Sequence, residues 1–219
     1  MCGRYLIDDE AYADILQILH DMNAAKNRVY SENITTSDFI KGEVFPTNIS
    51  PVIENGMIIA VKWGFPHWKN TGVIINARSE TALEKRMFGK PLRERRCVVP
   101  SSGFYEWGDS GGRGTGRKRK NKYLFRRPEE HTLYMAGITS TFRDAFGEEY
   151  DAFTILTTAA NENVSPIHDR MPVILSADEV DLWTSDNGFM EFVLHRPGLE
   201  LSSVIEGAND PKDYEQLSF

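Results

Sequence analysis

The second residue of the chain is a cysteine, in Met1-Cys2-Gly3-Arg4. Methionine aminopeptidase removes an initiator methionine when the next side chain is small, so we expect Met1 to be removed and Cys2 to carry a free α-amine. An α-amine titrates at about pH 7.7–8.0, so an appreciable fraction is nucleophilic at neutral pH. The amine can form a Schiff base with an aldehyde, and the thiol can then close a five-membered thiazolidine ring. Position alone also allows Cys2 to be an ordinary small residue.

Three further polar residues have sequence surroundings that suit chemistry. Asn76 follows an apolar, strand-like run. Glu106 lies within an aromatic-rich run, where a carboxylate is expected to be desolvated, and desolvated carboxyl groups suit general acid work. His168 lies in an irregular segment between a predicted strand and a predicted helix, and loops on rigid scaffolds concentrate functional polar residues. Each also has a structural explanation: a helix cap for Asn76, an outward strand position for Glu106, and a loop pair with Asp169 for His168.

Composition limits the class of protein. With 219 residues, of which 41% are apolar, the chain can form a single domain over residues 1–219 with a substantial core. No apolar run approaches the roughly 18 residues of a membrane-spanning helix, and the N-terminus does not resemble a signal peptide, so we expect a cytoplasmic protein without a membrane partner. Because there are only two cysteines and no paired metal-ligand motif, we expect neither a disulfide framework, a metal ion nor a cofactor.

The charge distribution is uneven. The net charge is −7, but residues 84–127 contain 14 lysines and arginines against four acidic residues. Such asymmetry permits a basic face on an acidic body. Much of the excess comes from Arg113–Lys122, which has two interpretations of equal weight: an extension of a nucleic-acid-binding face, or a solvated hairpin tip.

Sequence patterns predict several secondary-structure elements. Apolar periodicity predicts a helix over Asp9–Asn27, and a second helix begins near Ser79 and runs toward Phe88. The Asn55-Gly56 step within Pro51–Val61 predicts a hairpin with a type I′ turn. A capping box at Ser176–Glu179 predicts another helix. Further strands are predicted at Cys97–Val99, Gly103–Trp107, Lys122–Arg126, Leu133–Thr139, Phe153–Thr158 and Leu199–Val204. Because strands outnumber helices and follow one another in antiparallel-looking succession, the fold class is α+β with a large β component.

Five motifs in a fixed order together resemble the SRAP family, the SOS response-associated peptidases. Each motif is weak alone, but the five span residues 2–172 and the first is fixed at the N-terminus. They are Met1–Tyr5, Trp63–Phe65, Ile75–Thr81, Pro100–Trp107 and His168–Pro172. The resemblance implies the family's fold, a single α+β domain in which a mostly antiparallel, barrel-like β core carries a few peripheral helices.

The resemblance also implies a reaction. Family members crosslink to abasic sites in single-stranded DNA, and Cys2 would be the nucleophile, its amine attacking the aldehyde of the opened sugar before its thiol closes a thiazolidine. Asn76 would position the cysteine and its adduct, and Glu106 would orient the amine and help with proton transfer. His168 would assist ring opening and the formation or reversal of the Schiff base. An aldehyde condensation needs these groups: a nucleophile, a proton shuttle and a hydrogen-bonding clamp.

DNA contacts follow from the same resemblance. Trp68 resembles an aromatic wedge that stacks on bases near a junction, and its polar neighbours predict exposure. The family's Asn-x-x-Pro step is Glu43-Val44-Phe45-Pro46 in this chain, so Pro46 matches whereas Glu43 replaces the asparagine. Arginines would bind phosphates around the lesion and make binding salt-sensitive. They are Arg4, Arg78, Arg170 and, with weaker support, Arg86.

Three functions remain open at this point. The first is a covalent, lyase-like crosslinker of abasic sites that acts in the DNA damage response. The second is a cysteine-type peptidase, whose activity could be limited to the self-processing that exposes Cys2. The third is a non-catalytic reader of modified single-stranded DNA. For the first, the expected partner is single-stranded DNA that contains abasic sites, and the chain is expected to be a monomer.

Overall fold

The structure is a computed structural model that describes residues 2–25, 39–67, 71–109 and 120–206. Two β-sheet systems form most of it, and five α-helices lie in the described ranges. The helices are α1 (Asp9–Ala25), α2 (Ser79–Ala82), α3 (Gly89–Glu94), α4 (Val180–Ser185) and α5 (Asn187–His195), with a short 3-10 helix at Ala177–Glu179.

Fifteen strands are present in the described ranges. They are β1 (Tyr5–Ile7), β2 (Gly42–Val44), β3 (Ile49–Glu54), β4 (Met57–Trp63), β5 (Phe65–Pro66), β6 (Val73–Ile74), β7 (Asn76–Arg78), β8 (Arg96–Ser101), β9 (Gly103–Asp109), β10 (Lys120–Arg126), β11 (Leu133–Arg143), β12 (Glu149–Ala159), β13 (Arg170–Pro172), β14 (Ile174–Leu175) and β15 (Ser202–Glu206). All but two of the pairings are antiparallel, the exceptions being those of β12 with β4 and with β7. The predicted α+β class is confirmed.

A closed barrel of five strands forms the core. Its strands follow the order β12-β4-β3-β8-β11, and β11 pairs with β12 to complete the ring. The parallel pairing of β12 with β4, with Phe153 opposite Trp63, closes the barrel. The rings of these two residues stack with their centroids 6.2 Å apart. Closure leaves no free edge in the ring, and β12 extends beyond it to pair with β7.

A five-stranded antiparallel sheet packs against the barrel in the order β15-β10-β9-β1-β2. Tyr5 on β1 joins the two systems, because its hydroxyl and Ser50 Oγ lie 2.6 Å apart and its ring is 5.0 Å from that of Trp63. Tyr5 lies opposite Phe104 of β9, and both side chains are fully buried. Side chains alternate along a strand, so Arg4 faces the opposite, outer side of this sheet.

Local predictions agree with the structure in part. The hairpin turn has positive φ at Asn55 (52°) and Gly56 (68°), and the first helix and the Ser176 capping box are present. The helix predicted from Ser79 to Phe88 is wrong beyond Ala82. The chain turns there so tightly that a Cβ at Gly89 would lie 2.5 Å from the Leu83 carbonyl oxygen, and a new helix starts at that glycine. The last strand begins at Ser202 rather than Leu199.

Among the described residues, no helix is both long and apolar enough to cross a membrane.

Candidate active site around Cys2

Cys2 lies three positions before the first residue of β1 and is fully buried. The side-chain amide of Asn76 donates from Nδ2 to the Cys2 carbonyl oxygen at 2.8 Å. This hydrogen bond joins two predicted site residues that are 74 positions apart in the chain. The N-terminal segment is therefore fixed at both ends, by Asn76 at Cys2 and by the packing of Tyr5.

Asn76 is positioned by the barrel. It opens β7, which runs parallel to β12 with Asn76 opposite Ile155. The preceding carbonyl, that of Ile75, accepts from the Trp63 indole nitrogen at 3.1 Å. The remaining polar atom of Asn76, Oδ1, is buried and has no hydrogen-bond partner among the described residues. This buried oxygen beside Cys2 can therefore accept a hydrogen bond from the α-amine that removal of Met1 would create, or from a bound substrate.

The Cys2 thiol is held in its neutral form. Burial raises the pKa of the Cys2 thiol well above its usual value, and the nearby Glu106 carboxylate raises it further. The thiol donates to the Arg4 backbone carbonyl at 3.6 Å. Reactive cysteines of thiol enzymes have lowered pKa values, because the thiolate is the nucleophile. The raised pKa therefore distinguishes Cys2 from the activated cysteines of thiol enzymes.

Glu106 is only 4% exposed and lies on β9 opposite Tyr123 of β10. Side chains two apart on a strand face the same side, so Glu106 and Gly108 share a face. A Cβ at Gly108 would lie 3.1 Å from Ile167 Cγ2, so the segment that precedes His168 packs on the face to which Glu106 points. This packing carries the loop of His168 toward the side of the sheet that holds Glu106.

His168 is partly buried, with 28% of its side chain exposed. Its Nδ1 lies 3.0 Å from the backbone nitrogen of Arg170 and 2.9 Å from Asp169 Oδ1. One nitrogen cannot accept from the amide and donate to the carboxylate at once, so the two contacts require different positions of the ring proton. Asp169 is 83% exposed, whereas the Arg170 amide is fixed in β13.

Sequence reasoning missed Asn161, which shapes the loop of His168. Its Oδ1 accepts from the backbone nitrogens of Asn163 and Val164, both at 3.1 Å, and its Nδ2 donates to the Leu199 carbonyl at 2.7 Å. The Val164 carbonyl in turn accepts from the backbone of His168 at 3.0 Å. An asparagine at the end of a strand before a turn was the available signal.

Arg4 lies on the outer face of the five-stranded sheet. Its guanidinium stacks between the rings of Phe45, at 4.3 Å, and Trp107, at 4.9 Å. Its Nη1 donates to Glu43 Oε2 at 2.9 Å. Glu43 also accepts from Lys122 at 2.5 Å, so the residue that departs from the family pattern bridges two cations.

Two of the predicted phosphate contacts lie side by side near the start of α2. Arg78 is exposed and lies opposite Thr157 of β12. Arg170 is more constrained, with its side chain only 11% exposed. Its guanidinium donates to both carboxylate oxygens of Glu80, at 2.5 and 2.9 Å, and to the Thr157 carbonyl at 2.6 Å. Chiefly through the hydrogen bond from Arg170, the pKa of Glu80 is held below its usual value.

Two further predicted DNA contacts are Arg86 and Trp68. Arg86 is exposed and lines a groove of about 930 Å³ together with Lys90, Ser140, Thr141 and Phe142. Trp68 lies outside the described residues, as does most of the basic Arg113–Lys122 segment.

Pro46 occupies a tight turn that follows β2. The turn closes with a hydrogen bond from the Asn48 nitrogen to the Phe45 carbonyl at 3.1 Å, and Asn48 Oδ1 accepts from the Phe45 nitrogen at 2.9 Å. Thr47 has φ of 74°. A proline at the second position and a positive φ at the third position match a type II turn, in which the third position favours glycine. The turn presents Phe45, which is 41% exposed, beside Arg4.

The model of the SOS response associated peptidase (SRAP) family matches residues 1–195 of the chain. This chain belongs to the SRAP family. The predicted membership is confirmed by that match, which includes every residue assigned above to the candidate site.

Several relatives of this SRAP protein carry the name abasic site processing protein. YoqW of Bacillus subtilis is 29% identical over 97% of this chain and 96% of its own length. YoaM of the same bacterium is 34% identical over 80% of this chain and 85% of its own length. YedK of Escherichia coli is 36% identical over 56% of this chain and 53% of its own.

Solved structures share the fold. A protein from Bacteroides thetaiotaomicron has a TM-score of 0.75 and 22% identity, over 98% of this chain and 99% of that one. A phage-related protein from Bordetella bronchiseptica has a TM-score of 0.66 and 22% identity, over 93% of both chains. The closed barrel with its packed five-stranded sheet is therefore the architecture of these proteins too.

Proposed function

We propose that this protein captures abasic sites in single-stranded DNA through a covalent thiazolidine crosslink at Cys2, once Met1 has been removed. The observation that carries the proposal is the hydrogen bond from Asn76 to the carbonyl of the fully buried Cys2, with the Glu106 carboxylate acting on the same thiol. The names of the relatives, which process abasic sites, support the choice of substrate.

The proposed reaction proceeds in two steps and is neither an oxidation nor a reduction. The α-amine nitrogen of Cys2 attacks the aldehyde carbon of the opened sugar, and the carbinolamine loses one water to give an imine. The thiol sulfur then adds to the imine carbon while the thiol proton moves to the nitrogen, which closes the five-membered ring. The neutral thiol of the resting site fits this order, because the amine does not compete with a thiolate for the aldehyde.

Each neighbouring side chain has a proposed role in these steps. Asn76 fixes the Cys2 carbonyl through Nδ2, and its buried Oδ1 accepts a hydrogen from the new α-amine. Glu106, which is close enough to affect the titration of the thiol, orients the amine and transfers the thiol proton to its nitrogen as the ring closes. His168, on the loop that packs over the same face of β9, protonates the leaving oxygen.

The proposed DNA path uses the cations around Cys2. Arg4, Arg78 and Arg170 would bind phosphates next to the lesion, and Arg86 would bind the strand farther along, in its groove. Because the Arg170 guanidinium already binds Glu80, it would bind a phosphate while also bound to this carboxylate. Pro46 and Trp68 complete the proposed contacts with the bases.

The two other functions have less support. A cysteine peptidase needs a readily formed thiolate, whereas burial and Glu106 raise the pKa of the Cys2 thiol. A purely non-covalent reader has no use for a buried aminothiol whose carbonyl is fixed by an asparagine. The peptidase and the reader each predict a result in the experiment below that differs from that of the crosslinker.

The experiment incubates the Met1-processed protein with a single-stranded oligonucleotide that carries one abasic site, followed by a denaturing gel. We expect a covalent band with the wild type and none with Cys2→Ala. Cys2→Ser retains the amine, so its adduct should appear only after reduction of the imine with borohydride. Asn76→Ala should slow capture roughly tenfold, since it leaves a buried carbonyl without its donor.

Matched variants separate the site from general destabilisation. Asn187→Ala removes an exposed side-chain amide of α5, whose Oδ1 accepts a hydrogen bond from the buried Arg96 of β8, and it should capture DNA at the wild-type rate. A protein that binds the oligonucleotide without any covalent band would be a reader. Cleavage of peptides without capture of DNA would favour the peptidase.

A further inference from the structure

Glu43 connects two cations on the outer face of the five-stranded sheet. Its Oε2 accepts from Arg4 at 2.9 Å and its Oε1 accepts from Lys122 at 2.5 Å. Lys122 in turn donates to Glu206 at 2.6 Å. Two carboxylates therefore neutralise two cations on this face of the sheet.

The Glu43 bond is not required to orient Arg4. The guanidinium is already held between the rings of Phe45 and Trp107, at 4.3 and 4.9 Å, and such stacking fixes its plane. Glu43 adds charge compensation to a side chain that is 30% exposed. A guanidinium binds a carboxylate and a phosphate with the same N–H donors, so the two anions compete for it.

We propose that Glu43 is an internal counter-ion of Arg4, which a DNA phosphate must displace, and that it thereby sets the affinity and salt dependence of DNA binding. The inference rests on the proposed DNA role of Arg4. On displacement, Glu43 keeps its bond to Lys122, which it shares with Glu206, and loses Arg4, the second of its two cations. The Glu43 carboxylate thereby lowers the affinity of the protein for any DNA backbone, so capture depends more on the lesion itself.

The physical consequence appears in the salt dependence. Each phosphate neutralised by a free protein cation releases condensed counterions, and the slope of log affinity against log salt changes by about 0.7 per contact with single strands. In the wild type, the Arg4 contact frees a carboxylate that recruits a cation from solution, which cancels part of this release. Removing the Glu43 charge should restore the full release of counterions.

The test compares wild type with Glu43→Gln, which retains the acceptor oxygen and the side-chain length. Affinity for an undamaged single-stranded oligonucleotide is measured by fluorescence anisotropy over a series of salt concentrations. We expect Glu43→Gln to bind about three- to tenfold more tightly at low salt, with a slope steeper by at most about 0.7. Glu43→Ala should change affinity in the same direction.

Glu130→Gln is the matched control. Glu130 forms a similar ion pair, with Arg127 at 2.7 Å, beyond the opposite end of β10 from Lys122, and its loss changes the net charge equally. We expect it to leave affinity and slope near wild type. Weaker or unchanged binding by folded Glu43→Gln, or an equal gain in Glu130→Gln, would overturn the inference. Because undamaged DNA forms no crosslink, these outcomes are independent of covalent capture, whose failure would instead appear as the absence of a covalent band on the denaturing gel.

Discussion

At the scale of single residues, the chemistry of Cys2 depends on burial. A fully buried thiol beside a carboxylate stays protonated, so its reactivity differs from that of an exposed cysteine. The amine, once Met1 is gone, is then the stronger nucleophile of the pair. The same burial limits the reaction of the thiol with electrophiles in solution.

Alkylation of the native protein measures this property. Since the pKa of the Cys2 thiol is raised, the thiolate fraction at a given pH is smaller than in free cysteine, whose pKa is about 8.5. In a Cys97→Ala background, we expect iodoacetamide to react with Cys2 more slowly than with free cysteine. The rate should still be rising at about pH 10, where free cysteine has levelled off. Labelling at neutral pH as fast as for free cysteine would contradict a neutral, buried thiol.

Residue types indicated the site, but not how its members are held. Cys2, Asn76 and Glu106 were identified from sequence, and the structure joins Asn76 and Glu106 to Cys2. The constraint of Arg170 by Glu80, 90 positions away, could not be read from the sequence, because an ion pair between strand and helix depends on tertiary packing. The assigned roles stay predictions until the variants are measured.

At the scale of elements, the turn after β2 stores backbone strain near Arg4. Thr47 is β-branched and has φ of 74°, a conformation that favours glycine. At ordinary loop positions, alanine is more stable than glycine because it restricts the unfolded chain. Here we expect the reverse order, with Thr47→Gly more stable than Thr47→Ala by about 1 kcal/mol in urea unfolding. A more stable alanine variant would mean that the turn relaxes to negative φ.

Elements with local signals were predictable, and elements set by packing were not. The Asn55-Gly56 hairpin follows from its turn residues, and the Ser176 capping box from a four-residue pattern. Helix α3 escaped prediction because its start at Gly89 depends on a close approach to the Leu83 carbonyl. The closed barrel was implied by family resemblance, since the parallel pairing of β12 with β4 has no local signature.

At the scale of the whole molecule, an ion cluster joins strands around the barrel. Arg95, which directly precedes β8, donates to Glu54 of β3 at 2.8 Å and to Asp151 of β12 at 3.1 Å. Glu54 is 5% exposed, so loss of Arg95 would leave a buried carboxylate without this ion pair. Contacts of this kind connect strands that are distant in sequence.

The cluster predicts a dependence of stability on acid. The hydrogen bond from Arg95 holds the pKa of Asp151 below its usual value, with partial burial opposing the shift. A lowered folded-state pKa contributes stability above the unfolded pKa of about 3.9, and this is lost as pH falls through the folded value. Between about pH 4 and 2, the free energy of unfolding should fall less steeply in Asp151→Asn than in wild type. Asp181→Asn, an exposed control, should follow wild type, and a wild-type slope in Asp151→Asn would contradict the effect.

The most direct test of covalent capture locates the adduct on the protein. The Met1-processed protein is allowed to react with a single-stranded oligonucleotide that contains one abasic site, treated with nuclease and protease, and the N-terminal peptide is sequenced by tandem mass spectrometry. We expect the sugar remnant on Cys2, added with loss of one water, and a Cys2 sulfur that no longer accepts an alkylating reagent. A remnant on a lysine, or on the Cys2 amine with an alkylatable thiol beside it, would contradict ring closure at Cys2.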